Sequence, residues 1–474
     1  MRMKKLITNK KSGKIIVLIC LLSTWVHLAG AQVIKKLGLT ESVKLSIQAN
    51  KTLRISKAQV EAAAARLSQA KDRQLPQLGV SGSYYRLSQP TITPGNGLKA
   101  LLSGNKTGST TTTTTTNPTN TNTTNTNSAP ASFPTINQAI LVQANLTIPI
   151  FAGFKTKYSI ESDQFLLKAA ALNATHVTAE VAINTVSAYY NIYKLQANKK
   201  LLQQDLDEQS RRVKDFSNLE VNGLLTRNDL LKAEVQQSNI KLSLLDISNS
   251  LEIGLYNFKV MLGLGDSIVV DIDTLQLFPD HTIRAKADYL QAGLNQRRDL
   301  QAYGQQNESY KASVKGAKSG YYPSIALSGG YIDAWIPNFI IATNVITASI
   351  GVRYNLTDIF TTRHDVQQAK ASLKQSEASF DQMSDNIKMS VNQNFLNYNQ
   401  ALQKIEVTSS TIAQAAENFR ITKNKYTNSL STLTDLLDAD VALLQTQINK
   451  AEAKADAEIA YYRLLESSGE EIKF

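Results

Sequence analysis

Residues 323–331 read PSIALSGGY, and residues 76–84 read PQLGVSGSY. The two phrases stand 247 positions apart. At that offset Leu53 matches Leu300, Ala70-Lys71 matches Ala317-Lys318, Pro76 matches Pro323 and Tyr84 matches Tyr331. Farther along the offset becomes 206. There Phe154 matches Phe360, Thr156 matches Thr362, Lys157 faces Arg363, and Thr226 matches Thr432. Asp229-Leu230-Leu231 matches Asp435-Leu436-Leu437, Ala233 matches Ala439, Tyr256 matches Tyr462 and Gly263 matches Gly469. Two constant offsets mean two copies of one unit with a single length change between them.

That change is 41 residues and falls between Tyr84 and Ile140. The interval holds Thr110–Thr116 and a run of Asn, Thr, Ser and Pro to Ser132. So polar a tract cannot bury enough apolar area to order itself. A disordered, solvent-exposed loop tip is predicted over residues 104–132.

Each unit reads helix, strand, loop, strand, long helix, helix. The first helix is predicted over 40–74 and its counterpart over 284–321, each ended by a proline (Pro76, Pro323). In 346–356, Ile346, Ala348, Ile350, Val352, Tyr354 and Leu356 share one face, with Thr347, Ser349, Gly351, Arg353 and Asn355 on the other. In 140–150, Ile140, Val142, Ala144, Leu146, Ile148 and Ile150 oppose Gln143, Asn145 and Thr147. Strand by strand this alternation suits a half-buried soluble sheet first, and it also matches a membrane β-barrel wall with lipid outside and water inside. Tyr84, Tyr85, Tyr331, Trp335 and Tyr354 would then serve in aromatic girdles. The leader described below and the hydrophilic hairpin insertion favour the barrel. Four strands cannot close one, because about eight is the minimum, so the chain is expected to oligomerise through its strand edges. From Thr156 to Leu219 and from Thr362 to Asn428 there is neither Pro nor Gly. Each stretch can form a single helix of roughly 95 Å at the standard rise per residue.

The N-terminus carries Arg2, Lys4, Lys5, Lys10, Lys11 and Lys14, then an apolar run from Ile15 to Leu28, then Ala29-Gly30-Ala31. This pattern predicts a secretory signal peptide over 1–31. The formal net charge of +12 therefore falls by half on cleavage. The residual basicity carries no basic-aromatic patch, so nucleic acid is not an expected partner. The one cysteine, Cys20, lies in the leader, which excludes disulfides and thiolate metal sites from the remainder. The organisation is thus signal peptide 1–31, first repeat 32–264, linker 265–283 and second repeat 284–474.

No GxSxG, HExxH or GxxxxGK[ST] motif is present. Past the leader the histidines are His176, His281 and His364, read as surface or packing residues. No enzyme, cofactor or resident metal is expected. Thr226-x-x-Asp229 and Thr432-x-x-Asp435 fit helix starts, with the threonine capping and the aspartate at the positive helix end. Asp438 differs: its counterpart is Lys232, and capping does not need it. Asp435 and Asp438 stand i, i+3 on one helix face.

The chain resembles the outer-membrane efflux (TolC-like) family. The resemblance rests on the twice-used run from Ala-Lys to a proline-led strand, on PIFAGF (149–154), and on the turns NGLLTRNDLLKA (222–233) and NSLSTLTDLLDAD (428–440). Two departures stand out: the second hairpin exits through NLTDIF (355–360), and Ser429 replaces Gly223. The resemblance implies a mixed α and β fold in which three copies build a twelve-stranded outer-membrane β-barrel on a periplasmic α-barrel. It further implies a homotrimer in outer-membrane lipid, joined through a periplasmic adaptor to an inner-membrane transporter, as a passive exit duct for efflux or type I-like secretion. By the same resemblance Asp435 and Asp438 line a periplasmic gate open to divalent-cation block, with Thr226, Asp229 and Thr432 as secondary tip residues. The alternative is a surface structural or adhesive protein presenting the Thr/Asn-rich loop, and ion conductance separates the two.

Overall fold

A computed structural model describes residues 33–88, 137–265, 267–273, 278–279, 281–337 and 340–470. The expected leader 1–31 and loop 104–132 lie outside the described residues. The chain divides into two units. One comprises residues 33–67, 161–311 and 370–470 and is mostly helical; the other comprises 68–160 and 312–369 and carries the larger sheet.

The described elements run β1 (Val33–Leu37), α1 (Leu39–Ala49), α2 (Lys51–Asp72), β2 (Gln77–Arg86) and β3 (Gln138–Ala152). There follow α3 (Lys155–Val221), α4 (Arg227–Met261), β4 (Ile268–Ile272), α5 (Lys286–Gln296) and α6 (Arg298–Ala317). The last are β5 (Ser324–Ile336), β6 (Ile340–Arg353), α7 (Asp358–Thr427) and α8 (Leu433–Ser467). The order α, α, β, β, α, α therefore occurs twice.

The helices expected to be continuous over 40–74 and 284–321 are each broken, at Asn50 and Arg297. These positions are equivalent at the offset of 247. Asn50 is extended, and its Oδ1 accepts the Leu53 amide at 3.0 Å. Arg297 is extended too, and Asp299 Oδ1 accepts the amide of Leu300 at 2.9 Å. Short polar side chains compete with the helix for backbone donors, so they cap where periodicity alone would continue.

A two-stranded parallel sheet pairs β1 with β4, from Val33 opposite Ile268 to Leu37 opposite Ile272. The sequence reading missed it, taking 265–283 as linker. Each strand is only 5 residues long, too short for its period to stand out. It is held by Tyr189, whose hydroxyl donates to the Leu37 carbonyl at 3.0 Å and to that of Asp273 at 2.6 Å. Burial pushes the Tyr189 phenol well above the ordinary tyrosine range. Leu37, Val186, Tyr190, Phe258 and Ile272 close this core. His281 packs beside it, stacked on Tyr461 at 3.6 Å between ring centroids, with its Nε2 3.0 Å from Glu458 Oε2.

The four-stranded antiparallel sheet has the order β2-β3-β5-β6. Its register aligns the apolar positions across all four strands. Leu78 pairs with Leu146 and Tyr84 with Ile140; Ile148 pairs with Leu327; Leu327 pairs with Ile350 and Tyr331 with Ile346. On the other face Ser81 pairs with Gln143, Asn145 with Gly330, and Ser328 with Ser349. A bulge in β6 sets Thr343 and Asn344 against Asp333. Asn344 takes φ 63° there, a left-handed conformation asparagine tolerates better than most residues. The bulge shifts the phase by one residue and brings Ile341 opposite Trp335 on the apolar face.

Strand β6 ends at Arg353, opposite Ser324, the first residue of β5. Pro323 precedes it and has no N–H to extend the ladder. Tyr354 and Leu356, expected on the strand's apolar face, therefore lie beyond its end. Among the described residues no helix is long and apolar enough to cross a membrane.

Candidate functional site

The two helix–helix turns, 222–226 and 428–432, lie in the helical unit and pack side by side. Phe216, Leu230, Ala233, Leu433 and Leu436 form their shared core. Both turns reverse through a left-handed residue, Gly223 at φ 72° and Ser429 at φ 58°. In each, the next leucine donates its amide five residues back, Leu224 to Leu219 and Leu430 to Lys425, both at 2.8 Å. Ser429 thus keeps the helix stop of the first repeat without a glycine. Leu224 and Leu430 themselves are exposed.

Thr432 and Asp435 form a reciprocal capping box. Thr432 Oγ1 accepts the Asp435 amide at 3.2 Å. Asp435 Oδ2 accepts from the Thr432 hydroxyl at 2.7 Å, the Thr432 amide at 2.9 Å and the Ser431 hydroxyl at 2.9 Å. These donors, the Thr432 hydroxyl first, hold the Asp435 carboxyl below the usual carboxylate range. Its help to the helix is complete above the ordinary aspartate pKa and fades as pH falls through the lowered one.

The first repeat is built differently. Thr226 Oγ1 accepts the Asp229 amide at 3.1 Å, and its hydroxyl donates to Asp229 Oδ2 at 2.8 Å. Asp229 Oδ1 stands 3.5 Å from Lys232 Nζ, which also reaches Thr434 Oγ1 at 3.5 Å. Lys232 therefore neutralises its own turn and touches the other. Asp438, its counterpart, is exposed and has no hydrogen-bond or ion-pair partner among the described residues. The structure brings Asp435 and Asp438 onto one exposed face of α8, one turn apart, with Asp435 engaged as a cap.

One group of polar residues near these turns escaped the sequence reading. Asp440 is buried, and its Oδ2 lies 2.7 Å from Arg212 Nη1. Gln209 Nε2 donates to the same oxygen at 2.5 Å, and Arg212 Nη1 donates to Gln209 Oε1 at 3.0 Å. This network ties α3 to α8. Burial pushes the carboxyl of nearby Asp205 up to about 6, with the Asp440 charge adding to the effect and Arg212 opposing it. A signal existed: Asp440 is four residues past Leu436 and seven past Leu433, so it falls on the buried stripe of α8. Nothing in the sequence pairs it with a residue in α3.

Each of the two strand hairpins leads into a long helix, of 67 and 70 residues, which is returned by a capped turn. The chain belongs to the outer membrane efflux protein family, whose model matches residues 43–264 and 289–470. The fold is shared with solved outer-membrane proteins of low sequence identity. The outer membrane protein VceC of Vibrio cholerae is 16% identical, with 91% of this chain and 96% of that one covered at a TM-score of 0.71. The CmeC outer membrane channel of Campylobacter jejuni is 15% identical, with 91% and 85% covered at 0.73. The outer-membrane channel OprN is 16% identical, with 91% and 89% covered at 0.73. No curated protein matches the chain. OprN and CmeC are channels, and the family to which the chain belongs is one of efflux proteins, not of enzymes.

Proposed function

We propose that the chain is one protomer of a trimeric exit duct for efflux or type I-like secretion. Three copies supply four strands each to a closed twelve-stranded barrel in the outer membrane, and their long helices form the periplasmic conduit. The observation that carries this reading is the sheet. One of its faces is apolar and open, with Ile346 81%, Val80 74% and Ile350 71% exposed, and β2 and β6 each keep one edge unpaired among the described strands. Such a face is costly in water and at home in lipid. Open edges are satisfied by the same strands of the next copy. Along α4, Leu231, Val235, Leu242, Leu245 and Ile253 form an exposed stripe that suits a neighbouring helix. Leu224 and Leu430 at the turns offer apolar contacts to a periplasmic adaptor, and an inner-membrane transporter supplies the energy.

Threefold symmetry stacks Asp435 and Asp438 into two acidic rings at the gate. Acidic rings attract cations and bind divalent ions. In planar bilayers the closed channel is expected to be cation-selective and blocked by millimolar divalent cations added on the periplasmic side. Asp438→Asn relieves the block and raises resting conductance without loss of stability, because Asp438 is exposed and has no hydrogen-bond or ion-pair partner among the described residues. Asp435→Asn also weakens the helix start, because the Asp435 carboxylate accepts from the Thr432 amide and hydroxyl there. A block unchanged in the Asp435→Asn/Asp438→Asn double variant removes the gate from the account and leaves these residues as helix-start features.

A further inference from the structure

Where β3 gives way to α3, a cavity of about 260 Å³ opens on the sheet-bearing unit. Arg73 and Lys157 border it, Ile150, Phe151 and Phe154 give it an apolar wall, and no carboxylate lines it. Neither cation forms an ion pair among the described residues; Lys157 Nζ only lies over the Tyr158 ring, 5.9 Å from its centre. Phe151 pairs with Ile325 and so continues the apolar face that carries Leu327. Phe154 is held at φ 67°, a conformation that strains any residue with a Cβ. Its ring stands edge-on to Phe151 at 5.0 Å and to Tyr322 at 6.0 Å, while the residue stays 46% exposed. The second repeat has the same pair at the start of its long helix: Phe360, 75% exposed, and Arg363, also exposed and unpaired among the described residues.

We propose that this collar is a binding site for the phosphate headgroup of a glycerophospholipid from the membrane leaflet on the helix side. The inference rests on the barrel reading above and adds its lipid partner. A lone anion would need the cations but not the rings, and an apolar partner would need the rings but not the cations. Guanidinium and ammonium groups hold phosphate oxygens, aromatic rings sit at headgroup depth, and acyl chains lie along the apolar face. The second repeat keeps the Phe-x-x-cation pair but has Gly320 and Thr357 where the first has Arg73 and Phe151, so the complete site occurs once per protomer.

The test uses the full chain in detergent micelles doped with phosphatidylglycerol, with retained lipid counted by native mass spectrometry. Two cations near a lipid surface support roughly thirtyfold tighter binding. Arg73→Gln/Lys157→Gln is therefore expected to lose lipid by about that factor, with oligomeric state and bilayer conductance unchanged. Inorganic phosphate and diacylglycerol, given separately, are expected not to compete. A conducting wild-type protein that holds no more phosphatidylglycerol than the variant overturns the headgroup site and leaves the duct. Competition by inorganic phosphate alone overturns the lipid as occupant. Dissociation of the variant's oligomer assigns the cations to contact between copies and overturns the site, and a wild-type protein that fails to insert overturns both readings.

Discussion

Arg212→Ala is expected to destabilise the helical unit by about 3–5 kcal/mol, the usual cost of leaving one partner of a buried ion pair unmatched. Arg212 is the one cation on Asp440 among the described residues, and the two side chains are only 13% and 8% exposed. The loss should depend on pH. Asp205 already titrates at about 6 because burial and Asp440 disfavour its charge. Removing Arg212 strengthens that tendency, so the folded state takes up protons more readily than the unfolded one. Stability then falls as pH rises through this range, and the defect is larger at pH 8 than at pH 5. Chemical denaturation followed by circular dichroism at the two pH values measures it. Arg212→Leu/Asp440→Leu, which removes both charges together, should cost far less than either single change. A double-variant loss equal to the sum of the two single losses would mean that Arg212 and Asp440 contribute nothing as a pair.

Ile346→Arg is expected to prevent stable assembly in the membrane. Ile346 stands opposite Tyr331 on the apolar face and is 81% exposed. An arginine facing lipid costs about 2–4 kcal/mol near the bilayer midplane, and a threefold particle bears that cost three times. Ser349→Arg, paired with Ser328 on the opposite face, should be tolerated. The comparison is read as the yield of assembled protein in the membrane fraction. Similar yields from the two variants would show that the two faces are not divided between lipid and water as assigned, and loss from Ser349→Arg alone would show that they are assigned the wrong way round.

Much of this architecture was legible because it is repetitive or periodic. The 247 and 206 offsets expose the duplication before any element is assigned. Residues such as Ile346, Ala348 and Ile350 announce a strand with two unlike faces, and Thr432-x-x-Asp435 announces a helix start that the capping box fulfils. What escaped depends on contacts far apart in sequence or on single side chains. The breaks at Asn50 and Arg297 hang on one hydrogen bond each to the following turn. Strands β1 and β4 form only because Val33–Leu37 meets Ile268–Ile272, more than 200 positions on. Arg212 and Asp440 are separated by 228 residues, and neither announces the other. The asymmetry between Lys232 and Asp438 was readable, but its consequence was not. Lys232 reaches across to Thr434 and leaves the second turn as the one with an unneutralised carboxylate pair.

Closure of the barrel by identical copies fixes the mass of the particle released in mild detergent. Native mass spectrometry should find three copies of the chain, the number proposed above, whose four strands each then give twelve; a single copy falls short of the eight or so needed to close a barrel. A stable monomer or dimer inserted in the membrane would contradict the account.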